Sequence, residues 1–319
     1  VLFRSQLGGK GSAVWCGTLE GSGLLAYPHL LIISYKVFAH YCVDGIYLNE
    51  REWKFMADNL YQECLQHGGP INSTHTNTDA SGNDSSYGAF MSLSKLNKDI
   101  IECRKCPRLV EWRERVAAEK RASFRDQEYW GKPVPSFGDP KAKLLIVGLA
   151  PAAHGANRTG RMFTGDRSGD FLFSALYRAG YATQPDAISS DDGMKLLDAY
   201  ITAPVRCAPP QNKPTALEQK TCSDYLKREF TYLNNVKVIL ALGSIGYTAI
   251  SKELNITPRP KFAHGLEVQL KSGEIILCSY HVSQQNTFTG RLTEEMFDAV
   301  LERAKKLSGK NKQRASRQS

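Results

Sequence analysis

The sequence predicts an α/β fold: a three-layer α/β/α sandwich around a central, mostly parallel, four-stranded sheet. Four short apolar runs, at residues 143–149, 199–205, 236–242 and 274–280, have the length and composition of buried strands. Helical patterns separate the runs, and this alternation is typical of a parallel sheet with helices on both faces. All four runs end in polar or glycine-rich sequence, so we expect one ligand crevice beyond the carboxyl ends of the strands.

The helices flanking these strands follow from the spacing of apolar residues and from capping signals. Helical periodicity occurs at residues 93–101, 171–179, 215–233 and 293–307. Ser168 is the predicted N-cap of the second helix. Thr215 and Glu218 have the spacing of a capping box at the start of the third. Residues 185–193 are acidic and polar, which predicts a surface insertion.

Composition restricts the class of protein. The chain has 319 residues, 42% of them hydrophobic, so it can bury a substantial core, and its net charge of +9 favours an acidic partner. Eight cysteines in a chain of this length do not indicate a secreted disulfide scaffold. The apolar stretch at 24–43 is interrupted by polar residues and makes a poor membrane span. We expect an intracellular, reducing, cytoplasmic setting without membrane contact.

Three segments are predicted along the chain. Residues 1 to about 55 show no clear periodicity, and residues 71–88 are a Ser, Thr, Asn, Asp and Gly-rich linker, so residues 1–90 are treated as an uncertain N-terminal appendage. Residues 91–307 form the α/β domain. Residues 308–319 are a basic, disordered tail, and Arg303 and the basic residues after it meet no acid in the sequence, which fits weak contact with phosphates.

Two loops carry the most specific signal. Residues 148–166 read GLAPAAHGANRTGRMFTGD and follow the first predicted strand, and residues 281–291 read HVSQQNTFTGR and follow the last. Gly, Asn, Thr and Arg let the backbone and short polar groups approach a ligand closely. Because parallel strands bring their carboxyl ends to one edge of the sheet, the two loops are expected to form a single crevice.

The number and spacing of four cysteines are typical of a metal centre. Cys103 and Cys106 form a C-x-x-C pair, Cys207 ends the second strand run, and Cys222 lies in the helix after it. Chemistry alone leaves tetrahedral zinc and an iron–sulfur cluster open. The alternative is four unrelated buried thiols, and Cys278 is read as an ordinary core thiol.

The two loops resemble the signature motifs of the uracil-DNA glycosylase superfamily, and specifically its fifth family, type b, over roughly residues 91–307. The resemblance implies a uracil-DNA glycosylase-like fold and a [4Fe–4S] cluster held by Cys103, Cys106, Cys207 and Cys222. It implies damaged DNA, single- or double-stranded, as the partner of a monomeric enzyme that initiates base-excision repair.

The resemblance also implies roles for residues that would hold a flipped base. Phe163 is the stacking platform, and the backbone N–H groups of the segment that includes Gly148, Ala150 and Ala152 donate to base oxygens. His281 stabilises the departing base as a hydrogen-bond donor, or electrostatically if it is protonated. Core packing of the phenylalanine and a structural role for the histidine are the plain alternatives.

This chain departs from the fourth family at two positions. Leu149 replaces an acidic residue that serves water chemistry there, and Ala203 replaces an asparagine that reads the pyrimidine edge. The site is therefore expected to accept several deaminated bases, such as hypoxanthine, besides uracil. Asp166 is the first candidate to position water or balance the sugar cation, with helix capping as its alternative role, and Asn212 is the second.

The loop at 281–291 is the predicted contact with the minor groove. Its DNA-binding candidates are Ser283, Gln285, Asn286, Thr289 and Arg291, with Gln285 at the position where relatives place a wedge. The loop at 148–166 supplies further candidates: His154 and Asn157 for lining the pocket, and Arg158, Arg161 and, just beyond the loop, Arg167 for positive charge near the crevice.

The predicted activity is that of a monofunctional DNA glycosylase, because no lysine stands in either loop as a Schiff-base nucleophile. Two alternatives remain at this stage. One is a nucleotide-processing α/β hydrolase that uses the same loops on a free nucleotide. The other is a nucleic-acid-binding relative that has lost catalysis.

Overall fold

The computed structural model describes residues 85–309, with side chains from Ser92 onward. The predictions for residues 1–84 and 310–319 lie outside these described residues. The first helix begins at Ser85, so the last residues of the predicted linker at 71–88 are helical. This helix therefore begins before the predicted domain boundary at 91.

Helices and strands alternate along the described chain. The helices are α1 (Ser85–Ile101), α2 (Pro107–Glu119), α3 (Ala156–Thr159), α4 (Arg167–Arg178), α5 (Ala216–Tyr232), α6 (Gly243–Glu253), α7 (Gln284–Phe288) and α8 (Glu294–Leu307). The strands are β1 (Phe137–Gly138), β2 (Leu144–Val147), β3 (Ala199–Thr202), β4 (Val238–Leu242), β5 (Glu267–Gln269) and β6 (Ile275–Ser279). Within residues 85–309, no helix is long and apolar enough to cross a membrane.

The sheet has the order β1-β3-β2-β4-β6-β5. Its four central strands are parallel, with Leu144 opposite both Ala199 and Val238, as the four apolar runs predict. Strands β1 and β5 add antiparallel edges, so the predicted count of four strands was too low. These edge strands have only two and three residues, which is too short for a recognisable pattern.

Buried side chains of the sheet alternate between two apolar layers, as expected for a strand that is covered on both faces. Leu144 and Ile146 of β2 pack with helices α4 and α8 on one face. Leu145 and Val147 of the same strand pack with α1, α5 and α6 on the other. The predicted three-layer α/β/α sandwich is confirmed.

The capping predictions had mixed outcomes. Thr215 caps α5, and a reciprocal hydrogen bond from its backbone amide to Glu218 completes the predicted capping box. Helix α4 begins at Arg167 and takes its N-cap from Asp166, so Ser168 was the wrong cap. Arg303, predicted to meet no acid, pairs with Glu267 of β5 at 2.7 Å, because the edge strand lies beside α8 in the fold.

Candidate active site and cysteine cavity

The two signature loops meet beyond the carboxyl ends of β2 and β6. The ring centroids of Phe163 and His281 are 6.2 Å apart and their planes are tilted by 35°. Strand β2 lies between β3 and β4, so the loop after it leaves the sheet where the strand order changes direction. Open α/β sheets bind ligands at this point. The two loops therefore meet at one end of the sheet, as predicted, and a ligand crevice between them stays a prediction.

Phe163 has an unusual backbone conformation. It is partly buried, and its φ of 52° lies in the left-handed region that phenylalanine rarely adopts. A Cβ built on Gly169 would lie 1.9 Å from the Phe163 carbonyl oxygen, so only glycine allows this turn to pack on α4. Such strain persists only where the surrounding structure imposes it, and it is concentrated at functional sites.

Gly148 contributes space to the crevice. Its amide donates to the Thr202 carbonyl at 3.0 Å as part of the sheet, so it is not available as the predicted donor to a base. A Cβ on Gly148 would meet Cζ of Phe163 at 2.8 Å. The glycine therefore lets the phenyl ring lie against the end of β2.

Ala150 and Ala152, which follow Gly148 in the first loop, both have contacts within the fold. Ala150 packs with the apolar residues beside Cys106 and Cys207. The Ala152 carbonyl accepts hydrogen bonds from the amides of Gly155 and Asn157, at 3.3 and 3.0 Å. Those bonds use the Ala152 oxygen, so donation by the amides of Ala150 and Ala152 to a base stays a prediction.

His281 is partly buried at the end of β6. Burial lowers the pKa of its imidazole to about 4, so the ring is neutral at physiological pH. Its Cβ would lie 3.1 Å from a Cβ on Gly243, which has a φ of 81° at the start of α6. The side-chain amide of Asn286 donates from Nδ2 to the His281 carbonyl at 2.8 Å and fixes the backbone of the histidine.

The arginines of the first loop hold the loop together. Arg158 is buried and donates to the carbonyls of His154 and Gly165 at 2.9 and 2.6 Å. Arg161 is also buried and forms a two-pronged ion pair with Asp192, at 2.8 and 2.7 Å. Both guanidinium groups are engaged inside the protein, and Asp192 matches the charge of Arg161, whereas Arg167 is exposed. That the three arginines add positive charge near the crevice stays a prediction.

Asp192 comes from the segment at 185–193 that was predicted to be a simple surface insertion. Burial opposes its ionisation, but hydrogen bonds from Arg161 and from the amides of Met194 and Ile188 outweigh burial and lower its pKa to about 2. The Gly165 amide also donates to the carbonyl of Ala187. The segment therefore supports the first loop.

The two candidates for water chemistry differ in surroundings. Asp166 accepts from the Gly169 amide at 3.0 Å, and burial raises the pKa of its carboxyl despite that bond. A Cβ on Gly155 would lie 1.9 Å from Oδ2 of Asp166, so the carboxylate also lies against the first loop. Asn212 is exposed at the end of a short 3-10 turn, Pro210–Asn212, with a φ of 56°.

The pocket-lining candidates His154 and Asn157 have partners inside the protein. His154 Nδ1 lies 3.1 Å from the Tyr129 hydroxyl. Asn157 is fully buried and its amide donates to the Arg113 carbonyl at 3.2 Å. Its Oδ1 has no partner within the part of the chain that the structure describes. Neither contact shows a role in binding a base.

The predicted DNA loop contains the short helix α7. Gln285, Thr289 and Arg291 are exposed and Ser283 is partly buried, whereas Asn286 supports His281 as described above. Arg291 lies over the Tyr280 ring at 4.7 Å. Sequence reasoning missed Phe288, which is 72% exposed on α7. An aromatic residue in a polar loop was the available signal.

The four predicted cluster ligands line one cavity, called here the cysteine cavity, together with Leu109, Arg113 and Arg206. Within the described residues, no three His, Cys, Asp or Glu side chains converge as the ligands of one metal ion do. Burial raises the pKa of Cys207 to about 11 and that of Cys222 to about 12. Bound iron would deprotonate such thiols.

Comparison with known proteins agrees with this geometry. The Uracil DNA glycosylase superfamily model matches residues 135–305, which is more than half of the chain. A Type-5 uracil-DNA glycosylase of Mycobacterium leprae is 52% identical over 225 residues, 70% of this chain and 98% of the relative.

Relatives from two other organisms match a similar share of the chain. The Type-5 uracil-DNA glycosylase of Thermus thermophilus is 51% identical over 211 residues, 66% of this chain and 95% of the relative. That of Pyrobaculum aerophilum is 45% identical over 205 residues, 64% of this chain and 88% of the relative. The chain belongs to the uracil-DNA glycosylase superfamily.

Proposed function

We propose that this protein is a DNA glycosylase that hydrolyses the N-glycosidic bond of uracil and other deaminated bases in DNA. The observation that carries the proposal is the pairing of Phe163 with His281, 6.2 Å apart, where the two signature loops meet. Relatives that are 45–52% identical and bear the name Type-5 uracil-DNA glycosylase support the same reaction.

The phenyl ring of Phe163 stacks on the base after the nucleotide has left the helix. A base inside a duplex is inaccessible, so an enzyme that cleaves its glycosidic bond must bind it extruded. The strained backbone of Phe163, packed on α4 through Gly169, fixes the ring before the substrate arrives. The amides of Ala150 and Ala152 are the donors proposed for base oxygens.

His281 acts as a neutral hydrogen-bond donor to the leaving base. The glycosidic electrons depart with the base, and negative charge develops on its exocyclic carbonyl oxygens. A pKa of about 4 leaves the free imidazole uncharged at pH 7, so the electrostatic alternative loses support. A donor placed where charge develops contributes roughly 10²–10³ in rate.

Asp166 or Asn212 positions the attacking water on the opposite face of the sugar. Water adds to the anomeric carbon of the deoxyribose and gives up a proton to the Asp166 carboxylate or to solvent, and the base leaves as an anion with the electrons of the broken bond. Asp166 is the stronger candidate, because its carboxylate is buried against the first loop. Asn212 is exposed and would meet the substrate only if bound DNA covers it.

Ser283, Thr289 and Arg291 contact DNA phosphates, and an exposed side chain of α7 fills the space that the extruded base leaves. Gln285 stands at the position inferred from the family, but Phe288 offers a larger exposed apolar surface in the same helix. An apolar side chain inserted between base steps is a common device of proteins that bind the minor groove.

The proposed substrate range includes hypoxanthine. Leu149 and Ala203 carry no polar group that could read a base edge, so rejection of a purine would have to come from shape alone. Ala203 is buried beside the end of β3. Duplex or single-stranded DNA is accepted by a monomer in a reducing, cytoplasmic setting.

A [4Fe–4S] cluster fits the cysteine cavity. Cys103, Cys106, Cys207 and Cys222 surround a space, as cluster ligands bound to different iron atoms do. When bound, the cluster supplies a cross-link between the segment before α2, the end of the β3 region and α5. The role proposed for it is structural.

The test is base release from a labelled duplex that contains one uracil, followed by alkali. Strand cleavage is expected only after alkali, because the proposed reaction leaves an abasic site. Cleavage before alkali would show a lyase step and overturn the monofunctional proposal. Activity on free deoxyuridine monophosphate but not on DNA would favour the nucleotide hydrolase, and binding without base release would favour a relative that has lost catalysis.

A further inference from the structure

Arg113 of α2 has an unusual position for a charged residue. It is 2% exposed, and its Nη1 donates to Sγ of Cys207 at 2.9 Å and to the carbonyl of Cys103 at 3.3 Å. Burial of a guanidinium is costly unless an opposite charge compensates it. We therefore ask which negative charge compensates the buried guanidinium of Arg113.

The nearest carboxylate compensates the charge poorly. Nη2 of Arg113 lies 3.7 Å from Glu114, whose side chain is 45% exposed and which also pairs with Arg104 at 2.5 Å. Nε of Arg113 has no hydrogen-bond partner among the described residues. Protein groups thus leave part of the positive charge of Arg113 without a match.

Arg206, the other arginine that lines the cysteine cavity, also has an Nε without a hydrogen-bond partner among the described residues, but it differs in its carboxylate partner. Its Nη2 lies 2.5 Å from Oε2 of Glu229, and both residues are fully buried. The Arg206 charge is therefore neutralised inside the protein. Of these two guanidinium groups, Arg113 is the one left to meet negative charge inside the cavity.

We propose that Arg113 is a positioning residue for the iron–sulfur cluster, donating a charge-assisted hydrogen bond to the Cys207 thiolate that binds it. The proposal rests on the cluster proposed above. A cluster with four thiolate ligands has a net negative charge, which supplies the counter-charge that Arg113 lacks. Hydrogen bonds to ligand sulfurs raise the reduction potential of such clusters.

Arg113 also contacts the first loop, and this second contact allows the effect on the cluster to be measured apart from any effect on the active site. Its backbone carbonyl, not its side chain, accepts the hydrogen bond from Asn157 of the first loop. Substitution of the side chain removes the contact with Cys207 and leaves the contact with the loop. We therefore expect a change in the cluster with little change in base release.

The test measures the reduction potential of the purified holoprotein, by anaerobic titration with dithionite followed by visible absorption and electron paramagnetic resonance. Arg113→Gln keeps an N–H donor without the charge, and Arg113→Lys keeps the charge. Arg115→Gln is the matched control, because Arg115 lies two positions further along α2 with a side chain that is 48% exposed. Loss of iron to a chelator in air provides a second readout.

Arg113→Gln is expected to lower the equilibrium constant for one-electron reduction about tenfold, a shift of about 59 mV to more negative potential. It should also release iron several-fold faster, whereas Arg113→Lys stays near the wild type in both readouts and Arg115→Gln is unchanged. Equal potentials in the wild type and in Arg113→Gln would overturn the proposal for Arg113. If wild-type protein purified anaerobically were found to contain no iron and no sulfide, the proposal of a cluster would itself be overturned.

Discussion

Oδ1 of Asp166 accepts a hydrogen bond from the Gly169 amide at 3.0 Å, so the proposed catalytic carboxylate is also the N-cap of α4. Asparagine caps a helix about as well as aspartate, whereas alanine does not. The two roles of Asp166 can therefore be separated by substitution.

Asp166→Asn is expected to keep the stability of the protein and to slow single-turnover release of uracil about 10²-fold, because it preserves the cap and removes the carboxylate. Asp166→Ala should lose both activity and about 1 kcal/mol of stability. Asp170→Asn, an exposed change in the same first turn, is the control. Full activity of Asp166→Asn would assign the water chemistry to another residue.

Gly148→Ala tests whether the crevice depends on contact between the end of β2 and the Phe163 ring. The new Cβ would lie 2.8 Å from Cζ of Phe163, closer than such contacts normally are, so the ring must move and base release should fall at least tenfold. Phe163→Leu should also lose activity, because it removes the stacking surface.

The double variant Gly148→Ala with Phe163→Leu completes the cycle. Because leucine no longer presents the clashing ring, the alanine should cost little more in that background, and the two effects should be clearly non-additive. Full additivity of the two losses in single-turnover rate would mean that Gly148 acts independently of Phe163.

The sequence predicts the central fold well because buried parallel strands have continuous apolar runs with visible limits. It misses β1 and β5, whose two and three residues take their conformation from the neighbouring strand. Phe163 and His281 can be predicted from the sequence because each stands within a short motif, and the four cysteines can be predicted because their residue type itself indicates a metal centre. Arg113 resembles any charged residue of a surface helix, since its burial depends on Cys207, which lies 94 positions away.

Arg158 and Arg161 show the same limit for charge. In the sequence, both arginines are candidates to bind a phosphate, and only the folded chain shows that carbonyls and Asp192 engage them.

The role of a glycine is equally ambiguous in the sequence. Gly148 matches the family motif, but the structure shows that its amide belongs to the sheet and that its missing side chain is what matters.

His281 should act without titrating near neutral pH. Its pKa of about 4 predicts a constant ratio of the wild-type base-release rate to that of His281→Asn between pH 5.5 and 8, because asparagine donates a hydrogen bond without ionising. A ratio that rises as the pH falls would indicate an imidazolium in the reaction.

The same shift makes a prediction for stability. The folded pKa lies below the ordinary value near 6.5, so the unfolded chain binds more protons between these values, and the contribution of His281 is lost as the pH falls through that window. Urea denaturation at pH 7.5 and pH 5 should show a smaller loss of stability for His281→Asn than for the wild type. Equal losses would mean that the folded imidazole titrates normally.

Phe288 is expected to affect the rate of base release only when the base must leave a DNA duplex. Phe288→Ala should slow uracil release from duplex DNA about tenfold and leave release from a single strand unchanged, because only the duplex has a stack to fill. Gln285→Ala should have the smaller effect. Tyr177→Ala is the control, since Tyr177 is 48% exposed near the other end of α4, away from the crevice. A larger duplex defect in Gln285→Ala would return the wedge to the position inferred from the family.

The buried pair of Arg206 and Glu229 should contribute strongly to stability when one partner is removed. Glu229 also accepts from the Thr202 hydroxyl at 2.6 Å, and both its neighbours are fully buried, so Glu229→Gln leaves the Arg206 charge without compensation. We expect a loss of about 3–5 kcal/mol in the free energy of unfolding, measured by urea denaturation of the holoprotein.

Replacement of both partners separates the ion pair from the packing around it. Arg206→Met with Glu229→Met should recover most of the loss, because two apolar side chains of similar length leave no unpaired charge. Asp99→Asn, which breaks the more exposed Asp99–Arg228 pair, should cost no more than about 1 kcal/mol. If the double variant were as unstable as Glu229→Gln, the hydrogen bonds that Glu229 accepts from the Ser136 and Thr202 hydroxyls would be the larger contribution, and Thr202→Val should reproduce part of the loss.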